Sequence, residues 1–224
     1  MRRITSVFLS LSAVLAASVL ASPAAGAAPL AGRPAAVPSG WEAVDGAELA
    51  RISGEAATRR TPLTAGDGLS TTAAETGLLA LQSARNGQFV ATEMNYAAPN
   101  TGVLRARSAE VGGAWEGFGF EWDEASQTYA VKSLANNRYV AVEKNFTGSA
   151  QNVLRARSTS AGGWERFVLY HNEVLDRWAL QSTLNGLFVA MENSYTGTLQ
   201  YSLRARSTEI TGSWEEFALY GLGA

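Results

Sequence analysis

Cysteine is absent from the 224 residues of this chain, and histidine occurs once, as His171. Without cysteine the protein has no disulfides, thiolate metal ligands or cysteine nucleophiles. With one histidine it has no two-histidine metal site, and a Ser–His–Asp triad would depend on that residue. Net charge is also small: charged residues make up 17% of the chain and the net charge is −2. Because nucleic-acid binding relies on basic side chains that neutralise phosphates, we expect no nucleic-acid partner. We also expect no metal and no cofactor.

The N-terminus has the build of a secretory signal peptide. Arg2 and Arg3 precede an apolar run over residues 4–20, and Ala25-Gly26-Ala27 offers a small-residue cleavage site. The apolar run is short for a membrane span, so an uncleaved membrane anchor is the less favoured alternative. The sequence therefore predicts a signal peptide over 1–27 and a secreted, extracellular protein without membrane association after cleavage. It does not separate general secretory export from the twin-arginine route.

Residues 28–75 are rich in Ala, Gly, Pro and Thr. Residues 41–60 have some helical spacing, but Gly46 and Gly54 weaken it. This composition favours a mostly disordered linker or leader, with a propeptide as the open alternative.

Residues 76–224 contain one unit of about 50 residues written three times, over about 79–128, 129–177 and 178–224. Each unit shows four short strand patterns, and its tryptophan recurs at spacings of 49 and 50 residues as Trp115, Trp164 and Trp214. Twelve strands in three units predict an all-β fold, because a barrel that closes after three units has no open ends to cap. The sequence thus predicts a β-trefoil, with the recurring Leu, Val, Ala, Phe and Trp residues facing inward.

A two-residue turn is predicted between the first and second strands of each unit. Asn86-Gly87 and Asn185-Gly186 have the residues preferred where both turn positions have positive φ, and Asn136-Asn137 is the next best pair. We therefore expect three tight hairpins at these positions.

Three sequence blocks carry a family resemblance. The first unit reads N-G-x-[FY]-V-A-x-E over 86–93, L-x-A-R over 104–107 and W-E-x-F over 115–118, and both later units repeat the blocks, with Asn137 replacing the glycine in the second. The blocks resemble the fascin-like β-trefoil family. The resemblance implies a trefoil and, for a secreted bacterial member, a module of the kind found beside carbohydrate-active enzymes, whereas fascins themselves bundle actin. The chain lacks the Q-x-W motif of ricin-B lectins, so no site of that type is carried over.

Two repeated sets of side chains have competing interpretations. Six arginines on the third strands suggest either an anionic-ligand surface or ion pairing with the repeated glutamates, and the matching supply of glutamates after the second strands and after the tryptophans favours pairing. The tryptophans suggest either sugar-stacking platforms or a core layer, and their constant position favours the core. The arginines are Arg105, Arg107, Arg155, Arg157, Arg204 and Arg206.

The loop between the second and third strands is the predicted binding region. In each unit it places an amide or hydroxyl and an aromatic ring just after a repeated glutamate, and sugars bind to flat rings and hydrogen-bonding groups in this combination. The alternative is that the ring plugs the end of the barrel. The candidate ligand-binding residues are Glu93, Asn95, Tyr96, Glu143, Asn145, Phe146, Glu192, Ser194 and Tyr195.

The sequence therefore favours a secreted, monomeric, non-catalytic module that binds a polysaccharide or other glycan. A protein-binding trefoil, such as a protease inhibitor or a fascin-like actin-binding domain, is the alternative. Catalysis is disfavoured because the carboxylate pairs Asp123-Glu124 and Glu215-Glu216 are not repeated. His171 is predicted to be a surface residue in the connection after the second unit.

Overall fold

The computed structural model of the protein describes residues 37–59, 63–64 and 77–223. A short strand, one helix and a second short strand precede the repeats: β1 (Glu42–Ala43), α1 (Gly46–Arg59) and β2 (Leu63–Thr64). Each repeat then contributes four strands. They are β3 (Gly77–Ser83), β4 (Phe89–Glu93), β5 (Val103–Ser108) and β6 (Phe118–Asp123); β7 (Thr128–Ser133), β8 (Arg138–Val142), β9 (Leu154–Ser158) and β10 (Arg166–Asn172); and β11 (Arg177–Ser182), β12 (Phe188–Met191), β13 (Leu203–Ser207) and β14 (Phe217–Gly223).

The first and fourth strands of the three units form a closed barrel. Antiparallel pairing runs from β3 through β6, β7, β10 and β11 to β14, and β14 pairs back with β3. The second and third strands form three hairpins that cover one end, β4–β5, β8–β9 and β12–β13, which we call the cap. The third strands meet one another, through Val103 with Arg155, Arg105 with Ser202, and Val153 with Arg204. This threefold arrangement is a β-trefoil and confirms the predicted fold class.

The barrel core repeats in layers, as the strand patterns predict. Phe118, Phe167 and Phe217 are fully buried, and the leucines and valines of the strands pack with them in one cluster. The barrel encloses an apolar cavity of about 20 Å³, lined by leucine, valine and phenylalanine side chains. The side chains that line this cavity are therefore all apolar.

The repeated tryptophans are not part of this core. Trp115, Trp164 and Trp214 are half-buried in the turns before the fourth strands, which begin at Phe118, Arg166 and Phe217. Their main-chain carbonyls accept hydrogen bonds from the second strands of their units, at 2.8–2.9 Å. The prediction of a tryptophan core layer is therefore wrong, because the phenylalanine three residues later takes the inward position.

The turns between the first and second strands also differ from the prediction. Only their second residue has positive φ, which is 68° at Gly87, 56° at Asn137 and 69° at Gly186. The preceding asparagine instead uses its side-chain amide to donate to a third-strand carbonyl, as Asn86 does to Ala106 at 2.9 Å. The same 2.9 Å bond recurs in the other two units. The asparagine is repeated because it ties the turn to the cap.

Residues 37–59, which lie within the predicted linker of 28–75, include two elements that pack on the barrel. Strand β1 pairs with β10. The main-chain amide of Glu48, in the first turn of α1, donates a hydrogen bond to the Asp45 carboxylate at 2.8 Å. Val44 and Leu49 belong to the barrel core, and Leu49 is fully buried. These apolar side chains cover the end of the barrel opposite the cap, and they outweigh the low helix propensity of Gly46.

The predicted signal peptide over 1–27 lies outside the described residues, as do residues 28–36, 60–62 and 65–76. Within residues 37–59, 63–64 and 77–223, no helix is long and apolar enough to cross a membrane.

Candidate functional site

The glutamate that ends each second strand is buried between two arginines of the next strand. Glu143 contacts Arg155 at 3.0 Å and Arg157 at 2.5 Å. Glu192 contacts Arg204 at 3.1 Å and Arg206 at 2.5 Å. The pairing that the sequence favoured is therefore present in these units, and the glutamate is its centre.

The first unit repeats this arrangement. Glu93 lies 3.6 Å from Arg105 and forms a bidentate pair with Arg107, whose guanidinium pKa is raised by that hydrogen bond. The three glutamate side chains are only 2–5% exposed. These members of the predicted ligand set therefore hold the cap together and do not present their carboxylates to solvent.

The first arginine of each pair also reaches the neighbouring unit. The Arg105 Nε donates to the Gln200 carbonyl at 2.5 Å, Arg155 donates to Thr101 at 2.7 Å, and Arg204 donates to Gln151 at 2.8 Å. Each unit thus gives one arginine and receives another, so that the three bonds form a ring around the cap. A charged donor and a main-chain acceptor make a strong hydrogen bond.

The loop rings lie beside these first arginines. Tyr96, Phe146 and Tyr195 are half-buried, and their ring centroids lie 5.6, 6.0 and 5.5 Å from the guanidinium carbons. The two tyrosine hydroxyls also accept hydrogen bonds from their arginines. None of the rings belongs to the barrel core, so the alternative that they plug the barrel is wrong.

The polar members of the predicted loops point outward. Asn95, Asn145 and Ser194 are exposed, each one residue before a half-buried ring. The structure therefore brings an exposed amide or hydroxyl, a partly exposed ring and an arginine together three times.

The second set of repeated glutamates has a different role from the one the sequence suggested. Glu116 accepts from the Ser108 hydroxyl at 2.7 Å and from the Gly112 amide at 3.2 Å. Glu165 and Glu215 make equivalent bonds in the other units. These carboxylates brace the turn that leads to the fourth strand, and only the glutamates of the second strands pair with the repeated arginines.

Two of the carboxylates considered for catalysis, Asp123 and Glu215, have structural partners. Asp123 pairs with Arg166 at 2.7 Å, and the Ser126 amide that donates to it lowers the pKa of its carboxyl. Glu215 is buried in its turn bonds. Among the residues that the structure describes, no group of three or more histidine, aspartate or glutamate side chains is arranged to hold a metal ion.

His171 is not a surface residue. It lies within β10, its side chain is 13% exposed, and its ring stacks on Trp178 with centroids 4.3 Å apart. Burial lowers the pKa of the imidazole, although Asp176 at 3.8 Å acts in the opposite direction. The strand pairing with β1, which the sequence did not reveal, explains the burial.

No protein-family model matches the sequence. No curated protein matches it either. The resemblance to the fascin-like family therefore stays a prediction.

Solved structures show the same class of fold. A designed threefold-symmetric protein, ThreeFoil, superposes with a TM-score of 0.53 at 18% identity, covering 65% of this chain and 99% of that one. The Rhizoctonia solani agglutinin gives 0.50 at 12% identity over 69% and 99% of the two chains. A GlcNAcα1-4Gal-releasing endo-β-galactosidase from Clostridium perfringens gives 0.51 at 8% identity over 70% of this chain and 35% of that enzyme. At these identities the likeness concerns the fold, and it places the protein among β-trefoils.

Proposed function

We propose that this protein is an exported, non-catalytic carbohydrate-binding protein. The observation that carries the proposal is the threefold repetition of an exposed amide or hydroxyl beside a partly exposed ring on a braced hairpin. Asn95, Asn145 and Ser194 supply the polar groups, and their neighbours supply the rings. Rings and amides in this combination suit the two faces of a sugar, its C–H groups and its hydroxyls.

Two further points support the proposal. Three equivalent sites on one surface favour a polymeric ligand, because linked binding events raise the overall avidity of weak sites. The structures of similar fold include an agglutinin and part of an endo-β-galactosidase. Export through residues 1–27 would bring the protein to extracellular glycans.

A glycan array and pull-down with insoluble polysaccharides would test the proposal with protein that begins at residue 28. We expect binding to at least one glycan, and we expect it to weaken in the triple variant Asn95→Ala/Asn145→Ala/Ser194→Ala. The matched control replaces three exposed polar residues outside these loops, Thr159→Ala/Ser160→Ala/Thr208→Ala. Absence of binding to every glycan would overturn the proposal.

A further inference from the structure

The charges of this protein are segregated between the cap and the rest of the molecule. The cap hairpins, 89–108, 138–158 and 188–207, contain eight basic and three acidic residues, a net charge of +5. The rest of the chain contains ten basic and seventeen acidic residues, a net charge of −7. An acidic protein therefore carries one basic end, and that end is the proposed binding surface.

We propose that the cap binds an acidic glycan, one that bears carboxylate or sulfate groups. This inference rests on the proposed carbohydrate binding and adds the chemical class of the ligand. In the direct ion pairs of the cap, each unit sets two guanidinium groups against one carboxylate, and the next nearest carboxylates, Glu116, Glu165 and Glu215, are buried in bonds to serine hydroxyls and turn amides. One guanidinium per unit therefore has no directly paired carboxylate of its own.

The surplus charge is accessible. The second arginines of the pairs, Arg107, Arg157 and Arg206, have side chains that are 39%, 32% and 40% exposed. The first arginines are only 9%, 20% and 12% exposed. Each second arginine is held through its Nε by the buried glutamate. A guanidinium fixed through one edge is preorganised to donate through its other N–H groups to a carboxylate or sulfate.

The loops between the second and third strands add no negative charge. Residues 94–102, 144–152 and 193–201 contain no aspartate or glutamate, and the exposed Lys144 adds a further positive charge. Successive residues on one face of a strand are about 7 Å apart, so each exposed arginine lies one such step beyond the first arginine of its strand. The result is three cationic positions around the point where the third strands meet.

The neighbouring groups favour a sugar chain over other polyanions. Each cationic position belongs to a hairpin whose loop carries an exposed amide or hydroxyl and a partly exposed ring, and these groups match sugar hydroxyls and C–H faces. The acidic remainder of the molecule repels an extended polyanion, so attraction is confined to the cap. We therefore assign the surface to an acidic glycan, with nucleic acid and anionic lipid as outcomes that would contradict it.

The experiment compares polymers that differ only in charge. Binding of the protein from residue 28 onward is measured for dextran sulfate against dextran, and for polygalacturonate against its methyl ester, at low and high salt. We expect at least one acidic polymer to bind about tenfold or more tightly than its neutral partner, with the difference reduced by salt because exposed charges are screened. The two pairs distinguish sulfate from carboxylate as the preferred group.

The variants test whether the cap is responsible. Arg157→Gln/Arg206→Gln should weaken binding of the acidic polymer about tenfold, since each contact with a polyanion contributes to the salt-dependent affinity. The control Arg51→Gln/Arg177→Gln removes the same charge outside the cap and should change binding less than about twofold. Lys144→Gln leaves every arginine–glutamate pair intact. We expect a smaller loss of binding in this variant, and that loss would not be due to a change in folding. Arg157→Lys/Arg206→Lys should retain most of the binding because the charge is kept.

Several results would contradict the inference. If neutral and acidic polymers bind equally and the cap variants bind like the control, carbohydrate binding stands and the acidic ligand is wrong. If double-stranded DNA or phosphatidylglycerol vesicles bind more tightly than either acidic glycan, the assignment to a glycan is wrong. If no glycan binds at all, the proposed function fails together with this inference.

Discussion

The hydroxyl of Ser202 is buried where the third strands meet, and it has no hydrogen-bond partner among the described residues. Val103 and Val153 occupy the equivalent positions in the other units and are fully buried. An unsatisfied buried hydroxyl loses its bonds to water without replacement. Ser202 is therefore a polar residue at a position that holds valine in the other two units.

Ser202→Ala should raise the free energy of unfolding by about 1 kcal/mol, because it removes the unpaired hydroxyl with little loss of packing. Urea unfolding would measure the change. Ser133→Ala is the matched control, since that serine is equally buried but its hydroxyl bonds to Thr92 at 2.7 Å. The control should lose about 1 kcal/mol, and equal losses in both variants would contradict the prediction.

His171 gives the protein a pH dependence that can be isolated, because it is the chain's one histidine. Burial lowers its pKa from the ordinary value of 6.5, so the unfolded chain binds a proton at a higher pH than the folded protein does. Unfolding therefore becomes easier as the pH falls below about 6.5, until the folded-state pKa is reached. Above that window the stability contributed by the neutral imidazole is fully present.

Unfolding free energies measured between about pH 5 and pH 7.5 should fall toward acid in the natural protein. His171→Gln should remove most of that slope, because histidine is the side chain whose ordinary pKa lies within this pH range. An unchanged slope in the variant would show that another group is responsible.

At the scale of elements, α1 and β1 act as part of the barrel. Trp41 packs with Tyr170 and Phe188, while Leu49 enters the main core. A Cβ on Gly46 would come within 2.8 Å of Trp122, so the helix begins in close contact with β6. The glycine that weakens the helix in the sequence is the residue that lets it approach the barrel.

Leu49→Ala should lower the free energy of unfolding by about 2–5 kcal/mol, because it leaves a cavity in the core. Arg51 lies on the same helix but is exposed, so Arg51→Ala should change the free energy of unfolding by no more than about 0.5 kcal/mol. Thermal and urea unfolding of both variants would measure the difference. If Leu49→Ala is as stable as the control, α1 does not stabilise the barrel in solution.

The elements that repeat are those that the sequence predicted well. The strands, their order in each unit and the trefoil follow from the threefold pattern, because a repeated set of apolar positions requires a repeated fold. The segment around Leu49 occurs once, so no internal comparison reveals its partner on the barrel. The tryptophans show the opposite limit: Trp164 repeats for reasons of turn structure, and repetition alone does not distinguish a turn from a core.

The candidate site was predicted in part for the same reason. The repeated loops could be found, and the pairing of arginine with glutamate followed from their matching numbers. The bonds between units could not be predicted from the sequence. Arg155 donates to the main-chain carbonyl of Thr101, and every residue has such a carbonyl whatever its side chain.

At the scale of the whole molecule, the threefold symmetry is kept at the cap and lost at the other end. One equivalent position of the three units carries side chains of different size, Leu79, Tyr129 and Trp178, which line the barrel near α1 and β1. Trp122 and His171 likewise correspond to Gly221 in the third unit. The segment with β1 and α1 occurs once and cannot contact three identical surfaces. The three units therefore differ at the end of the barrel that this segment covers. The cap has no such partner within the described residues, and there the three arginines close a ring of bonds between units.

This ring should contribute to the stability of the whole trefoil more than the ion pairs within one unit do. Arg155 and Arg157 share Glu143, but only Arg155 also bonds to a neighbouring unit. Arg155→Met should therefore lower the free energy of unfolding by about 1–3 kcal/mol more than Arg157→Met, since it leaves the Thr101 carbonyl without its charged donor. Urea unfolding followed by tryptophan fluorescence would compare the two variants directly. Equal losses would mean that the bond between units adds nothing beyond the shared ion pair, and a larger loss in Arg155→Met would show that the cap holds the three units together.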